Sequence, residues 1–400
     1  MFDKVTVQPL RSGDAANPLD LGFIGEAMLF YETVEVAANR AILQQLVREF
    51  GSKLLLKFLK RKYLRIRFEP NFEAIITENT GTTAERHTPS VAQIEGQDLL
   101  GVLEPIMVDS VGWFTSAKKM ASRLAENINS CPIDPELATR TAADFGSPLY
   151  VTDAIRRILK VYTPDAALAS RFRFLIVRTS DNKFFVNTDL DFRVLNESYH
   201  RRIPVSHSTL SPSYLLSHLL TARKMVEDGA RSNAEIAAAP VYRGLITAKL
   251  QAPFEQRDVS AENIEAFQTL VFENGRSLSG ILRSKERSFR DLLKILKRAK
   301  KFRRWLRNQP PSEKLIKAYF NEVTKGSWID KLPVKTARWA IFMEAGRALD
   351  HLAGTGGLGT AAGVGLSAAD AFLVDKLAKG WKPNQFVDKA LQNFARLDNG

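Results

Sequence analysis

One amphipathic segment constrains the fold of this chain more than any other feature. The sequence SFRDLLKILKRAKKFRRWLRN, residues 288–308, contains nine Lys and Arg residues and a single acid, Asp291. Its apolar residues recur every three or four positions, which predicts an α-helix with one apolar face. Because an unpaired cation is costly to bury, the apolar face must pack on a core while the basic face points outward. The residues predicted for the outward face are Lys294, Lys297, Arg298, Lys301 and Arg304.

Positive charge is concentrated in two windows of the sequence. Residues 283–307 contain twelve Lys and Arg against two acids, and residues 48–67 contain eight against one acid, Glu49. Their combined excess is larger than the net charge of the whole chain, +13, so the remaining sequence is slightly acidic. Charge confined to a few segments is typical of a surface that faces an anionic partner. The simpler alternative is a solvated helix whose charge is partly neutralised by acidic neighbours.

The periodicity of the apolar residues changes between the two halves of the chain. KVTVQPL and LRIRF alternate as strands do, and RFRFLIVRTSDNKFFVNTDLDF is typical of a β-hairpin around a Ser-Asp-Asn turn. After residues 202–213, which contain two prolines and four serines, apolar residues recur only at helical spacing. Four hundred residues also exceed what one core usually supports. We therefore predict an α+β fold, with a mixed domain over residues 1–205 and an all-helical domain over residues 206–400.

Two of the predicted strands carry arginines on one face. In LRIRF, Arg65 and Arg67 point away from the apolar residues, and in RFRFLIVR, Arg171 and Arg173 do the same. If both strands joined one sheet, four arginines would line its outer face. The planar guanidinium group matches phosphate oxygens and stacks on bases. Together with the five cations of the helix, these arginines are the predicted nucleic-acid contacts.

The sequence offers little support for catalysis or for a cofactor. The single cysteine, Cys131, excludes an intrachain disulfide and a cysteine-based zinc site. GTGGLG, residues 354–359, matches a dinucleotide-binding pattern, but a predicted helix precedes it where that motif requires a strand. The five histidines have no further ligand at metal-binding spacing. We therefore predict no cofactor and no bound metal.

These observations favour a non-enzymatic protein that binds the phosphate backbone of DNA or RNA without base specificity. One alternative is a peripheral-membrane or pore-forming protein that uses residues 283–307 and the Gly- and Ala-rich residues 352–379. Another is a metal-dependent nuclease centred on Asp189, Asp191 and Glu197, which follow a predicted strand. The amino terminus has no apolar leader and no apolar run is a strong membrane span, so we expect a cytoplasmic protein.

Overall fold

The computed structural model describes residues 2–8, 19–79, 81, 85–93, 98–166, 172–179, 181, 183–204, 208–249, 252–271, 277–309, 315, 383 and 386–395. Its strands are β1 (Lys4–Val7), β2 (Thr33–Ala38), β3 (Leu64–Phe68), β4 (Asn71–Asn79), β5 (Glu85–Gln93), β6 (Asn129–Ser130), β7 (Phe174–Arg178), β8 (Phe184–Thr188) and β9 (Glu235–Ala237). Its helices are α1 (Leu21–Phe30), α2 (Arg40–Phe50), α3 (Ser52–Lys60), α4 (Leu99–Val111), α5 (Phe114–Ala125), α6 (Glu136–Phe145), α7 (Pro148–Tyr162), α8 (Phe192–His200), α9 (Pro212–Ser232), α10 (Pro240–Thr247), α11 (Ala252–Val271), α12 (Leu278–Arg283), α13 (Phe289–Arg307) and α14 (Gln392–Ala395), with a π-helical segment at Val387–Leu391. Sheets surrounded by helices confirm the predicted α+β fold.

The first sheet is parallel and has the strand order β6-β3-β2-β1-β9. α1 connects β1 to β2, and α2 and α3 connect β2 to β3. β9 pairs with the other edge of β1, away from β2. Parallel strands need helical crossovers and have both faces covered, which accounts for their mostly buried residues. β9 corrects the expectation of an all-helical second half. It is only three residues long, too short to show an alternating pattern.

α1 is buried along almost its whole length. Its sequence, LGFIGEAMLF, is apolar on every side, as expected of a helix enclosed within a core. It packs against β2 and also against α12 and α13. A Cβ atom at Gly22 would collide with the backbone of Ser279, so glycine allows α12 to lie directly on α1. α1 therefore connects the parallel sheet with the basic helix.

The second sheet is antiparallel, with the order β4-β5-β8-β7, and the predicted hairpin forms β7 and β8. α9 contacts strands of both sheets. A second apolar cluster lies beside this sheet and includes Phe174, Tyr199 and Leu216. The first cluster combines buried residues from within 2–128 with others from within 264–306, with Leu315 and with residues from within 386–394. The core of the parallel sheet is therefore shared across the domain boundary predicted at 205/206.

Candidate nucleic-acid interface

The basic run forms α13, and its start is fixed by a reciprocal cap. The Ser288 side chain accepts a hydrogen bond from the backbone N–H of Asp291, whose carboxylate in turn accepts from the backbone N–H of Ser288. The Asp291 carboxylate also accepts a 2.7 Å hydrogen bond from Lys294 Nζ. Hydrogen bonds from Lys294 and Ser288 lower the pKa of Asp291 to about 2. The only acid of the helix is therefore committed to its first turn.

The apolar stripe of α13 is buried, as its spacing predicts. Phe302 packs in the first cluster, with its ring centroid 6.2 Å from that of Phe30 and 5.9 Å from that of Phe267. This packing fixes the rotation of the helix about its own axis and directs the opposite face outward. The buried members of the stripe are Leu292, Leu293, Leu296, Ala299, Phe302 and Leu306.

All five cations predicted for the outward face of α13 are exposed. Lys294 is paired with Asp291, 2.7 Å away. Lys297, Arg298, Lys301 and Arg304 form no ion pair with any carboxylate in the described ranges. From Lys294 to Arg304 the helix rises roughly 15 Å. The exposure of this face is confirmed, and its role in binding remains a prediction.

Arg303 is the one cation of α13 that turns inward. It is 3% exposed, and its Nη1 donates a 3.0 Å hydrogen bond to the carbonyl oxygen of Met28 in α1. Its guanidinium carbon lies 5.1 Å from the centre of the Tyr63 ring, just before β3. Burial lowers the pKa of Arg303. A signal was available in the sequence, because Arg303 follows Ala299 by four residues and Leu296 by seven, the spacing of the apolar stripe.

The two basic windows of the sequence lie against each other in the fold. At the start of α13, the Phe289 ring meets the Phe50 ring at 4.4 Å between centroids. Nearby, Lys285 Nζ is 3.6 Å from a carboxylate oxygen of Glu49. Near the end of α13, Arg303 stacks on Tyr63. The helix therefore extends from the α2–α3 junction to the start of β3.

The second window also contains exposed cations. Arg48 is paired with Glu49 at 3.1 Å. The other exposed cations of residues 48–67 form no ion pair with described carboxylates. Most cations of α13 also form none. We call the combined set the basic surface: Lys53, Lys57, Lys60, Arg61, Lys62, Arg65, Arg290, Lys294, Lys297, Arg298, Lys300, Lys301, Arg304 and Arg307.

The arginines of the two predicted strands do not share a face, because β3 belongs to the parallel sheet and β7 to the antiparallel one. Arg65 is exposed, but Arg67 is 6% exposed and its placement on an outer face is wrong. Both faces of a parallel sheet are covered, so strand alternation does not direct Arg67 into solvent. Arg173 is exposed near β7, and Arg171 lies outside the described residues.

Arg67 belongs to a buried ion network that the sequence did not reveal. Its guanidinium lies 2.5 Å from Asp228 and 3.0 Å from Glu69. Lys224 Nζ is 2.8 Å from Asp228 and 2.9 Å from Glu69. Burial alone would raise the pKa of Asp228, but Lys224 and Arg67 outweigh it and hold that pKa at about 2. The network fastens α9 to the end of β3, and its members are too far apart in sequence to form a recognisable motif.

The acids of the nuclease hypothesis have local structural roles. Asp189 accepts a hydrogen bond from the backbone N–H of Arg173, 2.8 Å away. Asp191 caps α8, and Glu197 pairs with Arg193 at 3.2 Å. In the part of the chain that the structure describes, no three His, Cys, Asp or Glu residues are grouped to hold a metal ion. The nuclease alternative therefore remains a hypothesis without a preassembled ligand set in this region.

Comparisons with protein-family models, with curated proteins and with solved structures found no significant match to this chain.

Residues 352–379 of the membrane hypothesis, including the glycine-rich residues 354–359, lie outside the described residues. Within the described residues, none of the helices combines the length and apolarity that crossing a bilayer requires. The basic surface is therefore the feature of the described residues that bears most directly on function.

Proposed function

We propose that this protein binds the phosphate backbone of DNA or RNA through the basic surface, without base specificity and without catalysis. The observation that carries the proposal is the packing of the two basic windows against each other, by Phe50 on Phe289 and by Tyr63 on Arg303. This packing joins two segments whose exposed cations, apart from Arg48 and Lys294 and the residues before Phe289, have no ion pair among the described residues. The cytoplasmic location predicted from the sequence is part of the same proposal.

Electrostatics favours a phosphate partner for such a surface. Duplex DNA carries one negative charge per about 1.7 Å of helix axis, so a row of cations roughly 15 Å long faces several phosphates at once. Lys and Arg side chains that are not held by carboxylates can reorient toward phosphate oxygens. Contacts to phosphates carry no sequence information, which predicts similar affinity for unrelated sequences.

The buried stripe of α13 argues against the membrane alternative for this helix. An interfacial helix inserts its apolar face between lipid chains. In α13 that face, which includes Leu296 and Phe302, is already enclosed by the protein core. Only the cations of this helix would be available to contact a membrane, so we favour nucleic acid over lipid as the partner. Co-sedimentation with anionic and with neutral vesicles tests whether the partner of this helix is a membrane instead of nucleic acid.

A charge-reversal pair tests the proposed function. We expect Lys297→Glu/Lys301→Glu to weaken binding of a fluorescent 20-base-pair duplex by at least tenfold, measured by anisotropy. The matched control is Lys160→Glu/Arg201→Glu, which changes the net charge equally at two other exposed cations, in α7 and just after α8. Equal losses in both variants would mean that only total charge matters, and no binding by the unmodified protein would refute the proposal.

A further inference from the structure

A cleft of about 870 Å³ opens where the two basic windows meet. Its apolar lining includes Phe50 and Leu54 from one window and Phe289 from the other. Gln45, at the inner wall, is engaged with the backbone of Leu19. The volume lies in the range of sites that hold small molecules or portions of larger ligands.

The cations that line the cleft differ in whether other groups of the protein hold them. Two of its cations are held by carboxylates, because Arg283 bonds to Asp20 at 2.7 Å and Lys285 lies 3.6 Å from Glu49. A third, Arg287, donates to the backbone carbonyl of Phe394 at 3.1 Å. A fourth lining cation, Arg290 of α13, is exposed and forms no ion pair with described carboxylates.

This arrangement matches the polarity of a nucleotide that is not base-paired. A base has two apolar faces that stack on aromatic rings such as Phe289. Every base also has at least one N–H donor on its pairing edge. The carboxylates of Asp20 and Glu49 are paired with Arg283 and Lys285 but each has about four lone-pair sites, so they can also accept from such a donor. A phosphate next to that base would lie beside Arg290, the exposed lining cation without a carboxylate partner. In a duplex the pairing edges are occupied and the bases are stacked, so a single strand presents a base in this way without the cost of unpairing and unstacking.

We propose that the cleft accepts an unstacked base of single-stranded nucleic acid whose phosphates lie along the basic surface. The inference rests on the proposed function and adds to it a preference for single strands. The preference does not depend on base sequence, because the cleft would contact two features that all four bases have: an aromatic face and an N–H donor.

Filling the cleft tests this proposal. Leu54→Trp adds an indole to the cleft wall, and Leu149→Trp is its control, because Leu149 is 87% exposed and does not line the cleft. The probes are a 20-nucleotide oligothymidylate and a 20-base-pair duplex, compared by anisotropy at the same salt concentration. We expect the unmodified protein to bind the single strand about tenfold more tightly, and Leu54→Trp to abolish that difference while duplex binding is unchanged.

A second variant keeps the test valid if Leu54→Trp disturbs folding. Phe289→Leu preserves an apolar wall but removes the ring face, and we expect it to reduce single-strand affinity more than duplex affinity, because its contact with Phe50 also supports the basic surface. If both probes bind equally to the unmodified protein, or if neither variant changes single-strand binding, the cleft proposal is overturned while the proposed function stands. If neither probe binds at all, both proposals fail.

Discussion

The ring of Phe50 meets the ring of Phe289 edge-on, with 4.4 Å between their centroids and an interplanar angle of 90°. The two residues end and begin helices that lie far apart in the sequence, α2 and α13. Edge-to-face pairs of this kind add to the stabilisation from burial. This contact joins one basic window to the other, and the basic surface depends on it.

Arg65 and Arg67 form a natural pair of test positions, because they lie on the same strand in opposite environments. We expect Arg65→Ala to leave stability unchanged and to weaken nucleic-acid binding, with the log–log salt slope reduced by about 1. Arg67→Ala should lower the free energy of unfolding by about 3–5 kcal/mol, because it leaves Asp228 buried with one cation fewer. Urea unfolding and anisotropy measure the two effects. Equal affinity losses in the two folded variants would contradict the assignment.

Asp228 makes the free energy of unfolding depend on pH in the acidic range. Its pKa is lower in the folded chain, about 2, than its ordinary value of 3.8, so the ionised carboxylate stabilises the fold. That stabilisation, about 2 kcal/mol, is complete above pH ~4 and is lost as the pH falls through ~2. Burial raises the pKa of Glu69, which therefore acts in the opposite sense.

Asp228→Asn tests this assignment. The variant should be less stable at neutral pH, and its unfolding free energy should change less than that of the unmodified protein between pH ~4 and ~2. Chemical denaturation across this range, followed by circular dichroism, makes the comparison. An unchanged acid profile in the variant would show that other carboxylates dominate the acid dependence.

Arg303 should matter for stability and not for binding. Arg303→Ala removes the donor to the Met28 carbonyl oxygen and the packing on Tyr63, so we expect a loss of about 2 kcal/mol. Arg303→Met keeps most of the volume without a buried charge and should cost less than about 1 kcal/mol. Both folded variants should bind nucleic acid normally, in contrast to Lys301→Ala. Weakened binding by Arg303→Met at full stability would mean that Arg303 turns outward to the ligand.

Asp291 limits the charge that α13 offers to a partner. Asp291→Asn removes the only acid of the helix and releases Lys294, so we expect nucleic-acid affinity to rise about threefold and the salt slope to steepen by about 1. Asp109→Asn, at an exposed acid of α4, is the matched control for net charge. An equal gain in the control would show that the pairing of Lys294 is unimportant.

The sequence predicted those features that depend on local periodicity. The exposed face of α13 followed from its own apolar stripe, and the hairpin of β7 and β8 followed from alternation around a turn. The burial of Arg67 and Arg303 did not follow, because it depends on which distant elements cover them: α9 in one case and α1 in the other. The same holds for the cleft, whose walls are joined by a contact between residues far apart in the chain.

The salt dependence of binding tests the central claim most directly. With about six phosphates neutralised by the basic surface, the affinity for a 20-base-pair duplex should fall with a log–log slope near −5, at about −0.9 per contact. The slope of Lys297→Glu/Lys301→Glu should be shallower by about 2, measured by anisotropy at several salt concentrations. A flat salt response, or identical slopes for the two proteins, would contradict the account.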